Sequence, residues 1–114
     1  MVRNKPQIKN EITKLVEALK KNIKVDSVIL FGSFAKGNAS KDSDVDIAVI
    51  STEFGQNPLK EKQLIYRTII KESIEPYFEI HTFTPSELKS SNNYFISEIR
   101  STGQKIWPEP IDNP

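Results

Sequence analysis

Two short apolar runs, Val28-Ile29-Leu30-Phe31 and Ile47-Ala48-Val49-Ile50, constrain this chain more than any other feature. Both have the length and the β-branched content of buried strands, and they predict strands over Asp26 to Phe31 and Val45 to Ile50. The link between them is short, and its second half, Asn38 to Ser43, is turn-like. A parallel pair ordinarily needs a crossover of about a dozen residues or more, so the two strands are expected to run antiparallel. That pairing sets Gly32-Ser33, at the end of the first strand, beside Asp44 at the head of the second.

Around this pair the apolar period becomes helical. Ile8, Ile12, Leu15, Val16 and Leu19 recur at the spacing of an amphipathic helix of about four turns. Asn57-Pro58 reads as an N-cap with proline at the first helical position. It opens a helix running to about Ser73, with Leu59, Ile65, Tyr66, Ile69 and Ile70 as apolar residues. Pro76 restarts the chain for a third strand, Tyr77 to Phe83. Thr84-Pro85-Ser86-Glu87 has the form of a capping box. Tyr94, Phe95 and Ile99 then point to a final helix stopped near Gly103. The expected order is α-β-α-β-α-β-α-α. This is an α/β (α+β) fold in which helices pack against a small mixed three-strand sheet. Residues 1–107 are expected to form a single domain, and the proline-rich residues 108–114 a frayed tail.

Composition narrows the function. A chain of 114 residues holds one core. No window approaches the ~20 apolar residues of a membrane span, so no membrane association is expected. Met1 to Pro6 is polar and lacks the apolar centre of a signal peptide, which makes the cytoplasm the expected location. Without cysteine there are no disulfides, thiolate metal sites or thiol nucleophiles. From Arg3 to Lys24 seven basic residues face only Glu11 and Glu17. No aromatic side chains interleave with them, so they read as a solvated helix face rather than a nucleic-acid surface.

Gly32-Ser33 and Asp44-Val45-Asp46 carry the chemistry. Side chains alternate along a strand, so Asp44 and Asp46 share one face while Val45 and Ile47 point into the core. By the same alternation, Glu79 stands opposite to Phe78 and Ile80 and supplies a third carboxylate. Such a set can hold Mg²⁺, which takes a few carboxylates and fills its remaining positions with water and substrate phosphates. Gly32-Ser33 allows close backbone approach to phosphate, followed by the unpaired N–H groups of a helix start. Two rival motifs fail. Gly32 and Gly37 have P-loop spacing, but Asn38-Ala39 stands where Lys and Ser/Thr are required. Asp42, Asp44, Asp46 and Glu53 match ligand positions of a calcium loop, yet its obligatory glycine is replaced by Ile47. His81 shares a face with Glu79 but reads as an unengaged surface histidine, and Trp107 as a packing residue for the C-terminal segment. Arg67 and Lys71, one turn apart, are assigned to solvent.

The run from Gly32-Ser33 to Asp44-Val45-Asp46 resembles the defining motif of the DNA polymerase β-like nucleotidyltransferase superfamily. Within it the chain is most similar to the minimal nucleotidyltransferases of prokaryotes, from the first strand to Phe83. The resemblance implies the polymerase β-like nucleotidyltransferase fold. It implies that Gly32 and Ser33, with Lys36 and Ser43, bind the nucleotide, and that Asp44 and Asp46 bind two Mg²⁺ ions. Glu79 would complete the metal set and deprotonate the acceptor hydroxyl, which makes Asp44, Asp46 and Glu79 the catalytic residues. Glu79 stands where Asp is frequent, and Lys36 where Arg is common, which keeps the charge but loses the bidentate fork. The implied reaction transfers AMP from ATP to a hydroxyl. Beyond Phe83 two short helices and a tail cannot build a deep acceptor pocket, so another molecule is expected to complete the site. The resemblance supplies its identity, an all-helical HEPN-type toxin modified on a tyrosine, with this chain as antitoxin. The alternative is a non-catalytic nucleotide-binding module that neutralises its partner by complex formation. Either reading leaves room for a homo-oligomer.

Overall fold

Asn4 caps the first helix. Its side chain accepts from the Gln7 N–H at 2.9 Å, and its own N–H donates to Gln7 Oε1 at 3.5 Å. This reciprocal pair starts α1, Lys5–Leu19, which buries Ile8, Ile12, Leu15, Val16 and Leu19, the five residues its periodicity singles out. The computed structural model describes residues 4–37, 44–75, 78–90 and 92–108. Ser43, Asp42, Tyr77 and the segment 109–114 lie outside the described residues.

After α1 come β1 (Ser27–Phe31), the single turn α2 (Ser33–Lys36), β2 (Val45–Ile50) and α3 (Pro58–Lys71). They are followed by β3 (Phe78–Phe83), α4 (Pro85–Ser90), α5 (Tyr94–Thr102) and β4 (Gln104–Trp107). β1 and β2 pair antiparallel, as the short link between them requires. β2 and β3 pair parallel, with α3 as the crossover. Thr84 and Glu87 form the expected capping box at α4, with bonds of 2.9 and 3.1 Å.

The sheet has four strands, not three, in the order β3-β2-β1-β4. The additional strand, β4, is only four residues long and follows α5 after Gly103 alone. It carries one buried residue, Ile106. So short a segment shows no readable alternation, and its strand character comes from antiparallel pairing to β1, where Trp107 lies opposite Val28. Trp107 packs against the larger core, with the Lys20 ammonium 5.5 Å from its ring centroid.

Strand alternation divides the interior by sheet face. Val28, Leu30, Val45, Ile47, Val49, Phe78 and Ile80 join the buried residues of α1 and α3 in the larger core. Phe31, Ala48, Ile50 and Phe83 form a smaller core on the other face with Ile96 and Ile99 of α5. Asp46, Glu79 and His81 belong by parity to this second face. β3 is an edge strand, and there the Ile80 N–H donates to the Tyr66 hydroxyl of α3 at 3.0 Å. A side chain thereby blocks an edge that would otherwise be open to strand pairing.

Gly103 ends α5 with an extended backbone (φ −63°, ψ 138°), so its need for glycine is steric rather than torsional. A Cβ there would lie 2.3 Å from the Ile99 carbonyl oxygen and 2.9 Å from Ile29 Cγ2. Gly103→Ala is expected to destabilise the domain by about 1–3 kcal/mol through this overpacking. Urea denaturation checks it, and an unchanged midpoint would show that the α5–β4 corner is looser than described.

Candidate active site

Register brings the candidate residues together. Asp46 stands opposite Phe31 on the antiparallel side and opposite Glu79 on the parallel side. Its neighbours Val45 and Ile47 are fully buried, which fixes the face its carboxylate takes. His81 follows two residues after Glu79 and points the same way. Its Nε2 lies 3.2 Å from Asp46 Oδ1 and 3.8 Å from Glu79 Oε1. The ring is held edge-on by Phe31 at 5.2 Å and lies against Phe95 at 4.4 Å. The sequence assigned His81 to the surface, but it is buried and engaged. The spacing to Glu79 gave its face, whereas the aromatic rings that cover it come from β1 and α5.

One ligand atom each from Asp46, Glu79 and His81 lies within 4.8 Å of the other two. Around a small octahedral cation with bonds of about 2.1 Å, donor atoms lie roughly 3 to 4 Å apart. The cluster therefore fits a divalent cation with little contraction, and two carboxylates supply the charge to hold one. Asp44 is exposed just before β2, and its carboxylate is not part of this group. The structure thus joins Asp46 and Glu79 with His81, and leaves Asp44 out of the group.

Gly32 provides the second half of the site. It adopts φ 79° and ψ −154°, a region essentially confined to glycine. A Cβ would also lie 3.0 Å from Asp46 Oδ2. Its N–H donates to Thr102 Oγ1 at 2.9 Å, and that hydroxyl donates to the Glu98 carbonyl at 2.7 Å. The turn of α2 is tied down at the Ala35 carbonyl by Lys5 Nζ (3.3 Å) and Gln104 Nε2 (3.1 Å). No side chain caps its N-terminus. Lys36 is exposed, with Nζ 4.0 Å from Glu98 Oε1.

Around these groups lies an open pocket of about 380 Å³. Gly32, Ser33 and Lys36 line one part, Asp46 and Glu79 another, and Tyr94 and Phe95 the rim. Those two aromatics and Thr102 escaped the sequence reading, which treated the start of α5 as packing; Tyr94 is 70% exposed. Arg67 and Lys71 line a separate cleft between α1 and α3, on the opposite sheet face from Asp46.

Residues 12–106 match the nucleotidyltransferase domain family, and the chain belongs to it. It is a nucleotidyltransferase domain in which the glycine turn after β1 lies beside an acidic cluster with a buried histidine. A Methanocaldococcus jannaschii relative named "putative protein adenylyltransferase" is 32% identical over 102 residues, covering 84% of this chain and 99% of that one. The crystal structure of "a putative nucleotidyltransferase" from Sulfolobus solfataricus superposes with a TM-score of 0.59 at 19% identity. That match covers 74% of this chain and 73% of the other. A crystal structure described as a toxin-antitoxin with AMP-PNP gives 0.58 at 23% identity, covering 87% and 72%. At such identities these two structures bear on the fold alone. Among the described residues no helix is long and apolar enough to cross a membrane.

Gly32→Ala is expected to cost about 1–3 kcal/mol in backbone strain and to push Asp46 out of the cluster. Stability by urea denaturation and divalent-cation affinity by calorimetry should fall together. Wild-type values for both would show that the turn tolerates a side chain.

Proposed function

We propose that this nucleotidyltransferase moves AMP from ATP to a hydroxyl on another protein, a tyrosine of a HEPN-type helical toxin, and serves as its antitoxin in the cytoplasm. The observation that carries this reading is Asp46 facing Glu79 across the β2–β3 ladder, in a pocket that also contains Gly32-Ser33. The relative named for protein adenylyltransferase activity supports the reaction class, and the fold shared with a structure described as a toxin-antitoxin with AMP-PNP is in keeping with a nucleotide substrate and a protein partner.

In this reading the triphosphate lies against the backbone of Gly32 and Ser33, with Lys36 and Ser43 adding charge and a hydroxyl. Asp46 and Glu79, with Asp44 two residues before Asp46, would hold Mg²⁺, two ions in the full complement. Bound Mg²⁺ supplies Lewis-acid neutralisation of the phosphate charge. Glu79 takes the proton of the acceptor hydroxyl as its oxygen bonds to the α-phosphorus. The bond from that phosphorus to the bridging oxygen breaks, and pyrophosphate leaves. Gly32 and Asp46 contribute position, since fixed geometry accounts for much of the rate in such transfers. The acceptor meets an open rim where Tyr94 is 70% and Phe95 41% exposed, apolar surface suited to another protein.

Asp44→Asn and Asp46→Asn are each expected to lower AMP transfer about 100-fold or more while the fold survives. Glu79→Gln should lower turnover more than nucleotide affinity, because the triphosphate is held chiefly at Gly32-Ser33. Radiolabelled ATP, with gel detection of labelled protein, measures both; near-normal transfer in the Asp46 variant would refute the site.

Added partner is expected to be essential. The domain alone should bind Mg-ATP modestly and turn over very slowly, with label appearing on the partner once the cognate helical protein is present. Vigorous modification of a small molecule by the domain alone would overturn the protein acceptor. Retention of nucleotide without any transfer would instead identify a binding module that neutralises by complex formation.

A further inference from the structure

His81 is an unusual companion for two carboxylates proposed to hold Mg²⁺. It is 6% exposed, so its placement is set by packing rather than by chance at a surface. Phe31 and Phe95 fix the plane of the ring. The nitrogen that results, Nε2, faces Asp46 Oδ1 at 3.2 Å and Glu79 Oε1 at 3.8 Å. A proton on Nε2 satisfies the first of these oxygens, but the second lies beyond hydrogen-bond range. Among the described residues the ion-pair contacts of Asp46 and Glu79 run to His81 alone. Two carboxylates therefore converge on one nitrogen without a fixed cation to balance them. One divalent ion at the point all three atoms face would take both oxygens and the lone pair of the neutral ring.

We propose that His81 is itself a metal ligand, giving the centre one nitrogen and two carboxylate donors and a preference for Mn²⁺ over Mg²⁺. This deepens the proposed function and rests on its reading of Asp46 and Glu79 as metal ligands. Mg²⁺ favours an all-oxygen set, whereas imidazole suits the transition metals. Mn²⁺ accepts carboxylate, phosphate and imidazole together, which matches the donors present. The ring needs no reorientation to bind, because Phe31 and Phe95 already hold Nε2 toward the carboxylates.

Loss of affinity on mutation cannot by itself separate a ligand from an orienting neighbour, since an outer-shell partner also costs about 10–100-fold. A nitrogen signature can, and the chain has a single histidine. The experiment is electron spin-echo envelope modulation on Mn²⁺ bound to the untagged full chain, without nucleotide. It compares unlabelled protein with protein carrying ¹⁵N-histidine. The expected result is an imidazole nitrogen coupling that changes with the label and is lost in His81→Gln. The labelled wild type decides the matter even if the variant fails to fold. Bound Mn²⁺ with no label-dependent coupling would overturn the inference and leave His81 a hydrogen-bond neighbour of Asp46, with the proposed function intact. No Mn²⁺ binding at all would overturn it together with the metal reading of Asp46 and Glu79. In competition, Mg²⁺ should displace Mn²⁺ only in large excess; displacement of half by an equimolar amount would overturn the preference.

Discussion

The backbone of Gly32 turns as it does because Asp46 stands beside it, and much of the site follows from that contact. β1 ends at Phe31, directly opposite Asp46, and the next residue must leave the sheet without striking the carboxylate. A left-handed turn without a Cβ does so, and any side chain would meet Asp46 Oδ2 at 3.0 Å. The Gly32 N–H is taken by Thr102 at the end of α5. The Gly32 turn is thereby held from behind, with Ser33 and Lys36 of α2 lining the pocket.

That attachment gives α5 a second task besides covering the smaller core. Ile96 and Ile99 fill the space over Ala48 and Ile50, while Thr102 holds the turn and Phe95 covers His81. The larger core lies between the opposite face and α1 with α3. Stability and chemistry are thus largely assigned to different sheet faces. Substitutions at the buried residues of α1 or α3 should act through folding, whereas changes in α5, and at Lys5 or Tyr66, reach the surroundings of the carboxylates as well.

Much of this architecture is legible in the sequence because it is written in short-range patterns. Five apolar residues at helical spacing define α1, two strand-length runs define β1 and β2, and a short link dictates their antiparallel sense. Asp46 and Glu79 could be given faces from alternation alone. The losses share a physical cause, which is dependence on partners distant in sequence. β4 is a strand because β1 lies beside it, and four residues carry too little period to say so. His81 looks exposed until Phe31 and Phe95, from 50 residues before and 14 after, close over it. Leu59 and Ile70, named among the apolar residues of α3, are 67% and 78% exposed, whereas Ile65 and Ile69 are buried.

The edge position of β3 limits how an acceptor can arrive. Glu79, the proposed base, is carried by the outermost strand, so the proposed partner would approach it from the sheet margin and past Tyr94 and Phe95. An open edge would invite such a partner to add a strand, which would bring backbone rather than a side-chain hydroxyl to the carboxylate. The Tyr66 hydroxyl accepts the outward N–H of Ile80, one residue from Glu79, and removes that option at the point where it matters. A partner kept from pairing at Ile80 would reach Glu79 with a side chain instead. The demand is met by an acceptor that projects a hydroxyl on a long arm, and tyrosine reaches further than serine or threonine. The same obstruction that protects an edge strand from aggregation thus favours the kind of acceptor proposed for this domain.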